Sequence, residues 1–217
     1  MTDHYREFTI PDTELTRQAH ALAERLLAPA IAHHSVRSYL FGRELGATRG
    51  LRPGHDYDDE LLFLACVLHD ASLSDAGGRG DRFEVEGADL AAEFLREHGV
   101  GEERVQTVWE AIALHTAVGI SHRLRPEIAL THLGAGADVV ARGTAALPAG
   151  YADRVHAAFP RIEPDGGLPA AIADHARRDP AGAPLFSFGH EMLRQAEPGR
   201  PVADFALAAR SAWPGVG

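Results

Sequence analysis

Residues Leu61–Leu68 are apolar at every position and are followed at once by His69 and Asp70. A helix that is apolar around its whole circumference has to be enclosed by other elements, so this segment marks the centre of any fold the chain adopts. Its end sets the tighter constraint. Moving an imidazole and a carboxylate into an apolar interior costs several kcal/mol unless each meets a partner. A carboxylate at a helix C-terminus also faces the negative end of the macrodipole. Something positive must therefore answer His69 and Asp70.

Around that segment the chain reads as helices with short connections. Pro11, Asp12 and Thr13 start one that runs to Leu27, and the next, about Ala30–Gly46, carries Ile31, Phe41 and Leu45 at helical spacing. Residues 46–59 form a loop holding Gly46, Gly50, Pro53 and Gly54, and Asp58 or Asp59 caps a helix over about Asp59–Asp70. A second, Gly-rich loop over 71–83 reads as a mobile cover over the end of that helix. Helices follow at about Val85–His98, Glu102–His115 and Pro126–Arg142, the last opened by its proline. The final third, 143–217, gives shorter helical segments near 151–159, 168–178, 184–196 and 201–210. No alternating strand pattern, repeat or heptad seam is present, so the fold class is all-α. A length of 217 residues fits one domain able to bury its own core without a disulfide or a structural metal.

Composition narrows the function. Lysine is absent, so the 21 basic side chains are all arginine, set against 31 acidic ones for a net charge of −10. That balance argues against nucleic acid as a partner, and the missing lysine excludes Schiff-base chemistry and a Walker-type phosphate loop. The single cysteine, Cys66, lies within the apolar run and reads as a small core residue. The N-terminal stretch MTDHYREFTIPD lacks an apolar signal core, and no run approaches the ~20 apolar residues that cross a bilayer. We expect a cytoplasmic setting, no membrane, and a small-molecule substrate; homo-oligomerisation is left open.

Polar residues on apolar faces carry the sharper signal. Leu27, Ile31, His34, Ser38, Phe41 and Leu45 form one stripe, so His34 points inward and His33 away. Val105, Val108, Ile112 and His115 share a face, as do Thr131, Ala135 and Asp138. Gly134, Ala135, Gly136 and Ala137 keep that last helix thin enough to approach its neighbours. Inward imidazoles and carboxylates on separate helices are hard to satisfy pairwise, whereas one divalent cation satisfies them together.

The segments HSVRSYLF (34–41), LLFLACVLHD (61–70) and GAGADVV (134–140) resemble the HD-domain superfamily of metal-dependent hydrolases, whose motif is H…HD…D on a helical bundle. The resemblance implies His34, His69, Asp70 and Asp138 as metal ligands, within a motif-bearing core over about 30–142 on which the helices of 143–217 pack. RFEVEGADLAAEFL (82–95) and AIALHTAVGI (111–120) look like the cyanamide-hydratase-like branch. Two-metal relatives carry a further histidine shortly after the HD pair. Here Phe83 stands in that region and no histidine occurs between His69 and His98, which implies a single ion, Zn²⁺ first, with Fe²⁺ or Mn²⁺ as alternatives.

The chemistry implied is attack by a metal-activated water on a small electrophile, the branch adding water to a carbon–nitrogen triple bond. His115 and Thr116 are the candidate proton-handling groups beside Asp70, and Phe41, Phe83 and Trp109 the candidate lining of a small apolar pocket. The rival reading, phosphate-ester hydrolysis, needs arginines at the phosphoryl oxygens. Arg37, one turn from His34, is the first choice and Arg79 and Arg82 follow. A binding module without catalysis is the remaining alternative.

Overall fold

The central helix starts at Asp58, whose Oδ1 accepts hydrogen bonds from the Glu60 and Leu61 amides at 3.0 and 3.1 Å. Asp59 and Glu60 add negative charge to the first turn, where the macrodipole favours it. A computed structural model describes residues 6–162, 167–200, 204–213 and 215. Its helices in chain order are α1 (Glu14–Leu26), α2 (Pro29–Ala47), α3 (Asp59–Leu68), α4 (Phe83–Glu97), α5 (Glu102–Ala113), α6 (Pro126–Val140), α7 (Tyr151–Ala158), α8 (Gly167–Arg178), α9 (Phe188–Ala196) and α10 (Phe205–Ser211). No strand occurs among the described residues, so the fold is all-α. The helix expected at 201–210 falls partly outside the described residues.

Every residue from Leu61 to Leu68 is buried, and α3 packs against α1, α2, α5 and α6. α3 therefore serves as the hub, and its C-terminus delivers His69 and Asp70 to the middle of the bundle. His69 closes the helix and Asp70 opens a single 3₁₀ turn, Ala71–Leu73. The expected helix ended on Asp70 itself; the break lets the two neighbouring side chains converge instead of diverging by ~100°.

α2 and α6 form the closest pair. A Cβ added at Gly134 would lie 1.9 Å from Ser38 O, and one at Gly42 2.6 Å from Leu130 O, so glycine on each helix permits contact at the backbone. This approach brings Asp138 to His34. The inward stripe of α2 is buried throughout, while His33 is half-buried and donates from Nδ1 to Pro160 O at 3.0 Å.

The C-terminal helices complete the molecule around this core. Tyr151 OH donates to Leu40 O at 3.1 Å, fixing α7 to α2. α8 and α9 pack on each other, and α8 reaches α2 and α4. The Gly-rich loop is fastened rather than loose. Buried Glu86 accepts from the amides of Gly78 (2.7 Å), Arg79 (2.6 Å) and Asp81 (3.2 Å) and pairs with His175 of α8 at 3.1 Å. Asp179 accepts from the Gly80 amide at 2.7 Å. Glu86, in the first turn of α4, thus ties the loop to both α4 and α8.

Two outcomes test this packing. Gly134→Ala should destabilise the protein by about 1–3 kcal/mol or more through overpacking against α2, lowering Tm by several degrees. Gly136→Ala, whose Cβ would meet nothing closer than 3.6 Å, should hold or raise Tm in the same thermal melts. Burial opposes ionisation of Glu86, but the Gly78 amide, His175 and the neighbouring amides outweigh it and hold its pKa below the ordinary value. Its contribution is therefore complete above the usual glutamate pKa of ~4.3 and lost as pH falls below it. The Tm gap between wild type and Glu86→Gln should be widest near neutrality and close as pH drops below about 4.

Candidate metal centre and cavity

The end of α3 and the first turns of α2 build the site. His69 donates from Nδ1 to Cys66 O at 2.7 Å, and His34 donates from Nδ1 to Asp138 Oδ2 at 2.7 Å. With Nδ1 protonated in each ring, both Nε2 atoms carry lone pairs, and these face each other 3.2 Å apart. Asp70 Oδ2 completes the group at 3.2 Å from His69 Nε2 and 3.7 Å from His34 Nε2. That oxygen is buried with no hydrogen-bond partner. Two imidazole lone pairs and a carboxylate oxygen crowded in an apolar interior repel one another unless a cation lies between them.

The spacing fits such a cation. Atoms ~2.0–2.2 Å from a tetrahedral centre lie roughly 3.3–3.6 Å apart, and the three separations here, 3.2, 3.2 and 3.7 Å, are within about 0.1 Å of that range. His34, His69 and Asp70 form the one group among the described residues whose ligand atoms converge in this way, all within 4.8 Å of each other. Burial alone would raise the Asp70 carboxyl, but positive charge on the His69 and His34 rings would hold it far below the usual carboxylate range, and a divalent ion would supply that charge with both rings neutral.

Asp138 stands behind this group instead of joining it. Arg37 donates from Nε to Asp138 Oδ1 at 2.7 Å and from an Nη to Oδ2 at 2.8 Å, while Oδ2 also takes the His34 proton. The other Nη of Arg37 donates to Phe159 O and Pro160 O, both at 3.1 Å. All of Arg37's charge is thereby spent on the protein, and the residue is buried. A carboxylate that holds the far nitrogen of a metal-binding imidazole fixes its tautomer and orientation. The relevant spacing, His34 and Arg37 one turn apart on a single face, is legible in the sequence; their shared partner is not.

Asp70 opens onto a cavity of about 190 Å³. Its walls include Phe83, His115, Thr116, Val139, Ile172 and Met192, so α8 and α9 supply its outer side. His132 and Arg142 also line it and escaped notice in the sequence, although His132 shares a helical face with Ala135 and Val139. His115 donates from Nδ1 to Ile112 O at 2.7 Å, its ring lies 4.7 Å from that of His69, and Phe83 stands edge-on to it at 5.7 Å. Burial first, and the neighbouring His69 second, push the His115 pKa down to about 4. Thr116 donates to Glu84 Oε1 at 2.6 Å, and Arg82 donates to the same oxygen at 2.6 Å.

Two expected lining residues lie elsewhere. Phe41 packs in the core against Tyr151 and His156, with ring centroids 6.4 and 5.7 Å away. Trp109 is half-buried and donates its indole N–H to Asp89 at 2.7 Å. Arg37 borders a separate, more polar chamber of about 160 Å³ with His34, Asp138 and Arg161.

A helical bundle whose central helix ends in a buried His-Asp pair facing a third ligand defines a class of metal-binding fold. The HD domain model matches residues 31–158, and the chain belongs to the HD domain family, whose members bind divalent metals. It is similar to the cyanamide hydratases DDI2 and DDI3 of Saccharomyces cerevisiae, 30% identical to each over 108 residues. The match covers 48% of this chain and 47% of each relative, so the chain spans about half the length of the curated relatives it matches. No helix among the described residues is long and apolar enough to cross a membrane.

Purified protein should carry about one equivalent of a divalent metal by elemental analysis, and His69→Ala or Asp70→Ala should lose it. Wild-type protein that is metal-free and gains no thermal stability from added Zn²⁺, Fe²⁺ or Mn²⁺ would remove the site.

Proposed function

We propose that this protein is a mononuclear metal-dependent hydratase or hydrolase acting on a small electrophile, with compounds bearing a C≡N group, such as cyanamide, first among them. The observation that carries the reading is a small apolar cavity onto which both Asp70 and His115 open. Its volume of about 190 Å³ lies below the ~300–1,000 Å³ typical of drug-sized ligands. His34, His69 and Asp70 would hold the ion, Zn²⁺ suiting an N,N,O set best, with Fe²⁺ or Mn²⁺ also compatible. A divalent ion there lowers the pKa of a bound water from 15.7 toward 7.

The chain's own groups handle the rest. His115 is neutral near pH 7, and with Nδ1 committed to Ile112 O its Nε2 is a proton acceptor. Water addition to C≡N places oxygen on carbon and hydrogen on nitrogen. The His115 ring takes a proton from the attacking water and returns it to the nitrogen, ending as it began. Thr116 gives its own hydrogen to Glu84, so it offers an oxygen lone pair to an N–H of the substrate. The two yeast relatives are cyanamide hydratases by name, which agrees with this direction.

Phosphate-ester hydrolysis ranks lower because the three arginines that the sequence offered for it are already bound to carboxylates. Arg37 is held by Asp138, Arg79 by Glu93 and Arg82 by Glu84. Assaying the metal-loaded protein on cyanamide and simple nitriles beside nucleotide and sugar phosphates should show hydration alone. In His115→Ala, kcat should fall roughly 10²–10⁴-fold with metal content retained. Phosphate release without hydration would reverse the ordering.

A further inference from the structure

Helix α6 ends at Val140, and Ala141 takes the left-handed conformation, φ 55° and ψ 29°. The Arg142 amide then bonds back to Gly136 O at 3.2 Å, which folds the arginine over the last turns of α6. The stem lies along α6 beside Gly136, where a Cβ would make only ordinary contact, 3.6 Å from Arg142 Cδ and Nε. The guanidinium donates to His132 Nε2 at 3.0 Å, and buried His132 donates from Nδ1 to His115 O at 2.6 Å. Arg142, His132 and His115 all line the cavity. A left-handed cap and a buried histidine together set the guanidinium at the rim.

Its charge has no answer there. His132, which donates from Nδ1 and accepts at Nε2, brings no negative charge, and no carboxylate among the described residues pairs with Arg142. Arg37, Arg82 and Arg161, the other arginines around the site, lie within 2.7, 2.6 and 3.7 Å of carboxylate oxygens. An arginine's planar fork matches a carboxylate through two parallel hydrogen bonds.

We propose that Arg142 is a specificity-determining residue, and that the preferred substrate carries a carboxylate at the end remote from its reacting carbon. This deepens the hydration reading of the same cavity and rests on it. The reacting group lies toward Asp70 and His115 while the anionic end meets Arg142 at the rim, with the apolar walls between.

Cyanoacetate and cyanoacetamide test this, since they share a shape and differ in charge at the remote end. With metal-loaded wild type, kcat/KM should favour cyanoacetate. In Arg142→Gln the cyanoacetate-to-cyanoacetamide ratio should fall roughly 10- to 100-fold, mostly through KM. Arg142→Lys, which keeps the charge without the fork, should retain part of the preference. Independently of turnover, saturating cyanoacetate should raise the Tm of wild type more than that of Arg142→Gln, while cyanoacetamide should not distinguish the two. If neither compound reacts but the Arg142-dependent shift with cyanoacetate persists, the hydration reading fails and the carboxylate site stands. If both react with the same ratio in wild type and Arg142→Gln, the inference fails and hydration stands. A larger Arg142-dependent shift from inorganic phosphate than from cyanoacetate would overturn the carboxylate assignment.

Discussion

The Arg37–Asp138 pair is the interaction on which the rest of the site depends. Asp138 is a buried carboxylate, costly by itself, and the bidentate guanidinium of Arg37 cancels its charge. What remains of its accepting capacity goes to one proton, the Nδ1–H of His34. That choice decides the tautomer, and the tautomer decides that the His34 Nε2 lone pair points at His69 and Asp70. With Asp138 neutralised by Arg37 and both imidazoles offering Nε2 lone pairs to an ion, the converging set would bring it the single negative charge of Asp70. A divalent ion would leave it net positive, as polarisation of a bound molecule requires. Without Arg37, a second negative charge would compete for the same space and blunt that field.

The pair in turn depends on backbone contact between α2 and α6. Side chains as short as an aspartate and a histidine meet across two helices only where the helices nearly touch. Gly42 and Gly134 allow this, with Ser38 O and Leu130 O occupying the space that a Cβ would take. A protein interior packed this closely resists small displacements. The ligand geometry is therefore set before any ligand arrives, the condition under which fixed charges and lone pairs act most strongly.

Periodicity revealed which residues face inward and stopped there. His34, His115, Thr131, Ala135 and Asp138 all lie buried, as their stripes required, and the apolar run through Leu68 is the hub of the bundle. A stripe does not say which inward residue meets which. Asp138 and Arg37 are 101 residues apart in sequence, and only the crossing of α2 and α6 joins them. Large aromatic rings misdirect for the same reason. Trp109 and Phe41 looked suited to a pocket wall, yet the Trp109 indole found Asp89 and Phe41 turned to Tyr151. Phe83 does line the cavity, because the turn before α4 places it opposite His115. The Gly-rich loop, read as mobile, is bound through its amides to Glu86 and Asp179, acceptors that no local pattern connects to it.

The boundary of the family match divides the site physically. Residues 31–158 contain every group that converges on the metal position, together with His115 and Thr116. The opposite wall of the cavity comes from beyond that boundary, from Leu168, Pro169 and Ile172 of α8 and Phe188 and Met192 of α9. These helices touch the ligand-bearing core through α2, α4 and the buried Glu86–His175 pair. Under the proposed function, the atoms that would do chemistry and those that would judge substrate size are thus carried by different parts of the chain. Val139, Leu168 and Pro169 line both the apolar cavity and the polar chamber behind His34. A substitution in α8 can therefore reshape either space without moving His34, His69 or Asp70, which under the proposed function would let the selected substrate change while the helices that would hold the metal stay fixed.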